Sequence, residues 1–524
     1  MEKKILLILP FLAGLILIGY SWYLTYPLST ISANDFLFNH ISILYWISLP
    51  LLLVPMFLMA VTTKNNLLKW LLSIGIVLTF FSLAYFYSMM SEGGIDNQFY
   101  RGMMEYFIKT KSLNPSQFNH NYYQWPAFYV LADIVTSVSG LTLVNFEFLM
   151  YTIIGFLMAT ALYVYGSKKF TNGGVLAVVV FFIPISDIIN YQAVPFSLAL
   201  SLLFLLFMLG THRKSSGLVV IILLLYSSLL ITHFFVPLFF VLYLLGLCLF
   251  DKNSQNKSLY RNLFLITLIG WFLAQLTQAK FSFDQIVKNI INPPVDSYSI
   301  ILSNTFKSVS PSNTIYVTGQ FFSRTVIIAF AGLCVAGFIL LLIKRKTSAL
   351  DKAILFTGVV YSSLGAVLNT LGWRALAVAF VPISLGAAFL FQGKFKQYLV
   401  GLFSVLLVLA LFVPLHSSFN TEISWQTRES HTADNFFLDH YSWEKSSFVV
   451  TDFLTDTYLT AKLSVYEYIF PQLNIGDKPD AILYTPQFAG LNLGNYSSME
   501  SLSQGEKLNL LYNDGISCVL IKSQ

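Results

Sequence analysis

SEGGIDNQFYRGMMEYFIKTKSLNPSQFNHNYYQWP, Ser91 to Pro126, is a polar and aromatic stretch held between two long apolar runs. Upstream lies NLLKWLLSIGIVLTFFSLAYFYSMM and downstream, after a shorter apolar piece, FEFLMYTIIGFLMATALYVYG. The stretch opens on the carboxylate of Asp96, just past Gly93-Gly94, and closes on Tyr122-Tyr123-Gln124-Trp125 ahead of Pro126. An Asp after Gly-Gly and before a helical pattern suits a helix N-cap, because its oxygens accept the first free backbone N–H groups. The same anion, held at a membrane face, is also placed to take a proton from an incoming hydroxyl.

The composition makes this loop the exception. Of 524 residues, 56% are hydrophobic and only 11% charged, and the mean hydropathy is +0.69. Soluble domains carry about a quarter charged residues, so the chain reads as an α-helical polytopic membrane protein. A net charge of +6 then describes loops and gives no reason to expect nucleic acid. The opening MEKKILLILPFLAGLILIGYSWYL is longer than a signal-peptide core and lacks a small-residue cleavage site, so it reads as a retained span. Cys248, Cys334 and Cys518 show neither metal-ligand spacing nor a disulfide framework.

Apolar windows of about 17–25 residues predict about 13 transmembrane helices. They fall near 5–25, 41–61, 68–88, 146–166, 174–186, 194–210, 216–232, 234–250, 262–280, 325–343, 352–370, 375–392 and 397–414. Cytoplasmic loops are enriched in Lys and Arg. Threading these spans puts Lys3/Lys4, Lys64/Lys69, Lys168/Lys169, Arg213/Lys214, Lys252/Lys257/Arg261, Lys344/Arg345/Lys346 and Lys394/Lys396 all on one side. The N-terminus is then expected in the cytoplasm and the C-terminal region outside the membrane.

Three divisions follow: two additional N-terminal helices over 1–67, a transmembrane core over 68–415, and an extracytoplasmic domain over 416–524. The core carries outer loops at 89–145 and 281–323. In the first, Pro126 to Gly140 is apolar yet too short to span, and with Asp133 in it reads as a helix lying in the interface. In the C-terminal region SSFVVTD, AILY and SCVLIK read as strands, with Asn513-Asp514-Gly515 a hairpin turn, so a small α/β domain is expected.

The same threading carries Asp96, Asp187, His233, Arg324 and Arg374 to the outer boundary. Each alone has an ordinary structural role as cap, turn, packed imidazole or snorkelling cation. Together, two carboxylates and two guanidiniums at one depth suit a site that binds a phosphate-bearing lipid and activates an acceptor, since the guanidinium fork matches phosphate. The rings Tyr122, Tyr123 and Trp125, with Gln192 beside Asp187, are candidate substrate-binding groups. The spans read as free of mid-membrane charge, which ion-coupled transport normally requires. No carboxylate pair able to hold a divalent metal is evident, so cofactors are left open.

The layout resembles the GT-C superfamily of polyprenyl-phosphate-dependent membrane glycosyltransferases, among them oligosaccharyltransferase catalytic subunits, protein mannosyltransferases and lipid A aminoarabinose transferases. In that group an acidic residue follows the first core span, then an amphipathic helix, an aromatic-proline step, an interfacial helix and the next span. Asp96, FYRGMMEYFIKTKSL, YYQWP, AFYVLADIVTSVSG and FEFLMYTIIGFLMATALYVYG follow that order. NYQAVPFSLALSLLFLLFML, LLLYSSLLITHFFVPLFFVLYLL and LGWRALAVAFVPISLGAAF resemble the family's third span pair, its Ser/Thr-His step and its late Arg-bearing span.

Residue 97 is Asn where the family often has a second acid, and the chain lacks a Trp-Trp-Asp motif. The resemblance implies an inverting transfer of sugar from a polyprenyl-phosphate-linked donor, its tail in the lipid bilayer, to a glycan, lipid or protein acceptor on the outer face of the membrane. Asp96 would be the general base, Asp187 and His233 would orient sugar or acceptor, and Arg374 with Arg324 would hold the donor phosphate. The rival readings are a lipid or glycan flippase, a glycan polymerase and a non-catalytic scaffold subunit.

Overall fold

In the computed structural model, the described residues are 2–25, 41–90, 95–112, 124–189, 194–210, 215–277, 284, 314–367, 376–392, 396–411, 436–437, 449–450, 481–484, 508–513 and 518–522. The helices are α1 (Glu2–Thr25), α2 (Ile43–Thr62), α3 (Asn66–Met90), α4 (Ile95–Thr110), α5 (Ala127–Ser139), α6 (Leu143–Ser167), α7 (Gly173–Ile189) and α8 (Pro195–Leu209). They continue as α9 (Ser216–Thr232), α10 (Val236–Phe250), α11 (Ser254–Thr277), α12 (Thr314–Ile343), α13 (Ala349–Val367), α14 (Leu376–Leu390) and α15 (Lys396–Leu409). Every expected window coincides with one of these helices; α4 and α5 are the two that the loop after Met90 was expected to hold.

Length and composition qualify Leu6–Leu24, Ile43–Thr62, Asn145–Ser167, Asn256–Thr277 and Arg324–Ile343 to cross a membrane. Shorter apolar helices, among them Pro195–Leu209, Val236–Phe250 and Leu376–Leu390, pack beside them. The chain is an integral membrane protein, because an apolar surface of this extent has no other solvent.

The sequence of α7 explains its place at the centre. Val175 to Ile183 (VLAVVVFFI) is apolar on every side, so no face is left for water. All of these residues are buried, and α7 packs against α2, α3, α6, α12 and α14. α1, by contrast, touches α2 and leaves Leu6, Leu9, Ile16 and Tyr23 exposed as a lipid-facing stripe. Where α12 crosses α14 the backbones meet at Gly337 and Gly386, and a Cβ on either glycine would run into the other helix's backbone. Small residues permit this approach, which matters where hydrophobic pressure between helices is absent.

Polar contacts tie one end of the bundle. Lys69 Nζ donates to Thr171 O at 3.1 Å and Asn172 Oδ1 at 2.8 Å, and Asn172 Nδ2 donates to Val61 O at 3.1 Å. The Asp351 carboxylate accepts from the Tyr165 hydroxyl and from Lys169, which also donates to Ser348 Oγ at 2.8 Å. Ser348 and Asp351 form a capping box: Asp351 Oδ2 accepts from Ser348 N at 2.7 Å, while Ser348 Oγ accepts from Asp351 N at 3.3 Å. Burial pushes the Lys169 ammonium below the ordinary lysine value, against the opposing pull of Asp351. Lysine-bearing segments expected on one side of the membrane thus gather at one end of the fold.

Near the C-terminus, β1 (Val449–Val450), β2 (Ala481–Tyr484), β3 (Leu508–Asn513) and β4 (Cys518–Lys522) form a sheet in the order β1-β2-β4-β3. β1 runs parallel to β2, and β4 is antiparallel to both β2 and β3. The three segments expected as strands contain β1, β2 and β4, and Asn513 pairs with Cys518 at the closing end of the expected hairpin. The helical part of the expected α/β domain lies outside the described residues.

Candidate functional site

At the end of the bundle away from Lys69 and Asp351, the loop after α3 becomes two helices. α4 begins at Ile95, so Asp96 stands within its first turn, where the helix dipole favours an anion. Its apolar side buries Tyr100, Met103 and Met104, and the Tyr129 hydroxyl of α5 donates to Met103 Sδ at 3.2 Å. Arg101, also on that buried side, meets Glu147 of α6: Nε donates to Oε1 at 3.2 Å and a terminal guanidinium nitrogen to Oε2 at 2.5 Å. Both side chains are sealed, at 2% and 3% exposure.

Pro126 caps the N-terminus of α5, and Gly140 ends it with a left-handed φ of 70°. These are the two residues at which the sequence bracketed an interfacial helix. Lys111, which follows α4, reaches Asp133 of α5 at 2.5 Å, and Ser137 Oγ lies 3.0 Å from the same oxygen. The Lys111 hydrogen bond holds the Asp133 carboxyl below the usual carboxylate range, aided by Ser137 and against the smaller effect of burial.

The break between α9 and α10 supplies the next group. His233 is the C-cap of α9, in extended backbone, and the proline of THFFVP starts α10. Its Nδ1 accepts from Phe235 N at 3.2 Å, which leaves the proton of a neutral imidazole on Nε2. The ring is buried between Phe196 at the start of α8, 5.4 Å away edge to face, and Trp125, 6.5 Å away and 24° from parallel. Trp125 also meets Phe234 at 5.4 Å. From there the aromatic wall continues through Trp271 of α11, whose Nε1 donates to Phe234 O at 3.4 Å, and through Phe235 to Tyr361 of α13 at 6.0 Å.

The sequence-derived residues are distributed as follows. Trp125 and His233 are brought together. Asp96 and Asp187 lie on helical backbone, in the first turn of α4 and the last turn of α7, and their side chains fall outside the described residues. Tyr122, Tyr123, Gln192 and Arg374 also lie outside them. Arg324 is exposed and stands at the start of the apolar span Arg324–Ile343, as expected, although the helix α12 itself begins earlier, at Thr314. The polar and aromatic TIYVTGQFFS tolerates an interface and lets the helix extend through it.

Arg101, Glu147, Phe196, Phe234, Trp271 and Tyr361 were not singled out from the sequence. Spacing gave no signal for them, because their partners stand on other helices. Among the described residues no three His, Cys, Asp or Glu side chains are grouped to hold a metal. A groove between α8, α9, α10 and α11 lies toward the lysine-rich end and touches none of the candidate residues.

No family model matches the sequence, and no curated protein matches it. Among solved structures the chain is similar to the crystal structure of ArnT from Cupriavidus metallidurans in the apo state, at 10% identity and a TM-score of 0.46, over 87% of this chain and 98% of that one.

Proposed function

We propose that the chain is a membrane glycosyltransferase of the GT-C type, moving a sugar from a polyprenyl-phosphate-linked donor to an acceptor at the outer face of the membrane. The observation that carries the reading is the meeting of Trp125 with His233, residues far apart in sequence that were both assigned to one outer site. It supports a common functional end built from the α4–α5 loop and the α9–α10 break. The gathering of lysine-bearing segments at the opposite end supports the orientation, through the excess of positive charge in cytoplasmic loops.

In this reading the acceptor hydroxyl meets Asp96, whose carboxylate takes its proton as the oxygen attacks the anomeric carbon. Polyprenyl phosphate leaves from the opposite face with inversion. Arg374, assisted by Arg324, neutralises the phosphate charge that develops as the bond breaks. His233, through its Nε2–H, and Asp187 orient sugar or acceptor, and the Tyr122–Trp125 rings form a platform for them. The C-terminal sheet guides the acceptor or covers the site.

The test is to reconstitute the purified chain in lipid nanodiscs with a panel of radiolabelled polyprenyl-phosphate hexoses and follow release of polyprenyl phosphate. Acceptor-dependent release supports the reading. Movement of an intact lipid-linked sugar across a vesicle bilayer, with no release, supports the flippase instead.

A further inference from the structure

The charged groups of Arg101 and Glu147 have left water, and apolar side chains of like volume commonly serve stability as well as a buried ion pair does. What such a pair adds is direction. Two nitrogens of one rigid fork engage both oxygens of one carboxylate, so α4 cannot rotate about its axis or slide along α6 without breaking a bond. α4 has need of such a constraint. It is a short helix whose first turn carries Asp96, five residues or about 7.5 Å of helical rise before Arg101. Its buried side also carries Met103 and Met104, flexible side chains that adapt to small shifts and fix a position less sharply than a two-point ion pair.

We infer that the Arg101–Glu147 ion pair is a positioning device that sets the rotation and depth of α4 and, through them, the place of Asp96. Neither residue is assigned a chemical step. The consequence for turnover rests on the reading of Asp96 as base; the anchoring does not.

The experiment compares full-length wild type, Arg101→Met/Glu147→Leu, Arg101→Lys and Asp96→Asn in nanodiscs. Amide hydrogen exchange is read over 95–110, with turnover of radiolabelled polyprenyl-phosphate hexoses measured in parallel. The double variant should exchange at least about tenfold faster across α4 while α6 and α7 keep their protection. Its kcat should fall by about 10–100-fold with KM nearly unchanged, as expected when a reacting group is misplaced by about an ångström. Arg101→Lys, which keeps the charge and loses the fork, should lie between the two.

Unchanged exchange across α4 in the double variant overturns the proposal. So does wild-type kcat in that variant while Asp96→Asn is inactive. Full activity of Asp96→Asn, together with faster exchange in the double variant, removes Asp96 as base and upholds the anchor. If the double variant does not fold, Arg101→Lys decides by the same exchange measurement.

Discussion

The indole of Trp125 lies against the imidazole of His233, with ring centroids 6.5 Å apart and planes 24° from parallel. That contact joins the end of the polar loop that opens with Asp96 to the break between two membrane helices. It also makes both residues part of one wall, so their substitutions should be felt at the same end of the fold.

Nδ1 of His233 accepts from Phe235 N, whereas the proposed role in transfer belongs to Nε2–H, so substitutions can separate structure from chemistry. Asn places an acceptor near the position of Nδ1, whereas Ala leaves Phe235 N without its partner. His233→Asn should therefore melt close to wild type yet transfer sugar about tenfold or more slowly, while His233→Ala should lose stability by about 1–3 kcal/mol as well. Thermal unfolding and transfer kinetics read the two effects. Wild-type transfer by a well-folded His233→Asn removes Nε2 from the reaction.

Trp125→Ala should lower stability by about 3–5 kcal/mol and loosen the start of α5, because a nearly sealed ring is lost. Trp125→Phe, which keeps a flat ring against His233, should recover most of that in the same melt. Equal melts for the two variants would show that the ring contacts contribute nothing.

At the opposite end, the Asp351 carboxylate accepts from Tyr165, Lys169 and Ser348 at once. Asp351→Asn leaves Lys169 half-buried without its counter-charge and should destabilise by about 3–5 kcal/mol. Folded protein should keep its transfer kinetics, since none of these groups approaches Trp125 or His233. A folded variant with slowed transfer would link the two ends and contradict this separation.

The Lys111–Asp133 bridge has a stated pH dependence. Lys111 lowers the carboxyl's pKa on folding, so its contribution is complete above the ordinary carboxylate value of about 4 and is lost as pH falls through the depressed one. The pair is partly exposed, so the contribution is small. The difference in melting temperature between wild type and Lys111→Ala should be constant from about pH 5 to 8 and shrink only in stronger acid. A difference that grows as pH falls would contradict the assignment.

How much of this was legible in the sequence depended on range. Apolar length gave every helix but α4 and α5, and Pro126 and Gly140 gave both ends of α5, because helix punctuation is a property of single residues. Asn513-Asp514-Gly515 between apolar runs gave the β3–β4 pairing for the same reason. The thirteen windows did not reveal that α11 and α12 extend beyond their apolar parts, since helical backbone continues through polar residues at an interface. Arg101 and Glu147 were invisible as a pair: one sits in a polar loop helix, the other near the start of a span, and each alone looks like a surface cation or an interfacial acid. Tyr165, Lys169 and Asp351 were hidden in the same way, by meeting only after three helices have packed.

In the proposed mechanism everything turns on Asp96 removing the acceptor's proton. Asp96→Asn keeps the shape and loses the basicity, so the most direct measurement is its kcat against wild type in nanodiscs with a radiolabelled polyprenyl-phosphate hexose. The expected loss is at least about 100-fold with exchange protection of α4 intact, in line with the 10²–10⁴-fold that general-base catalysis supplies. Transfer at the wild-type rate would contradict it.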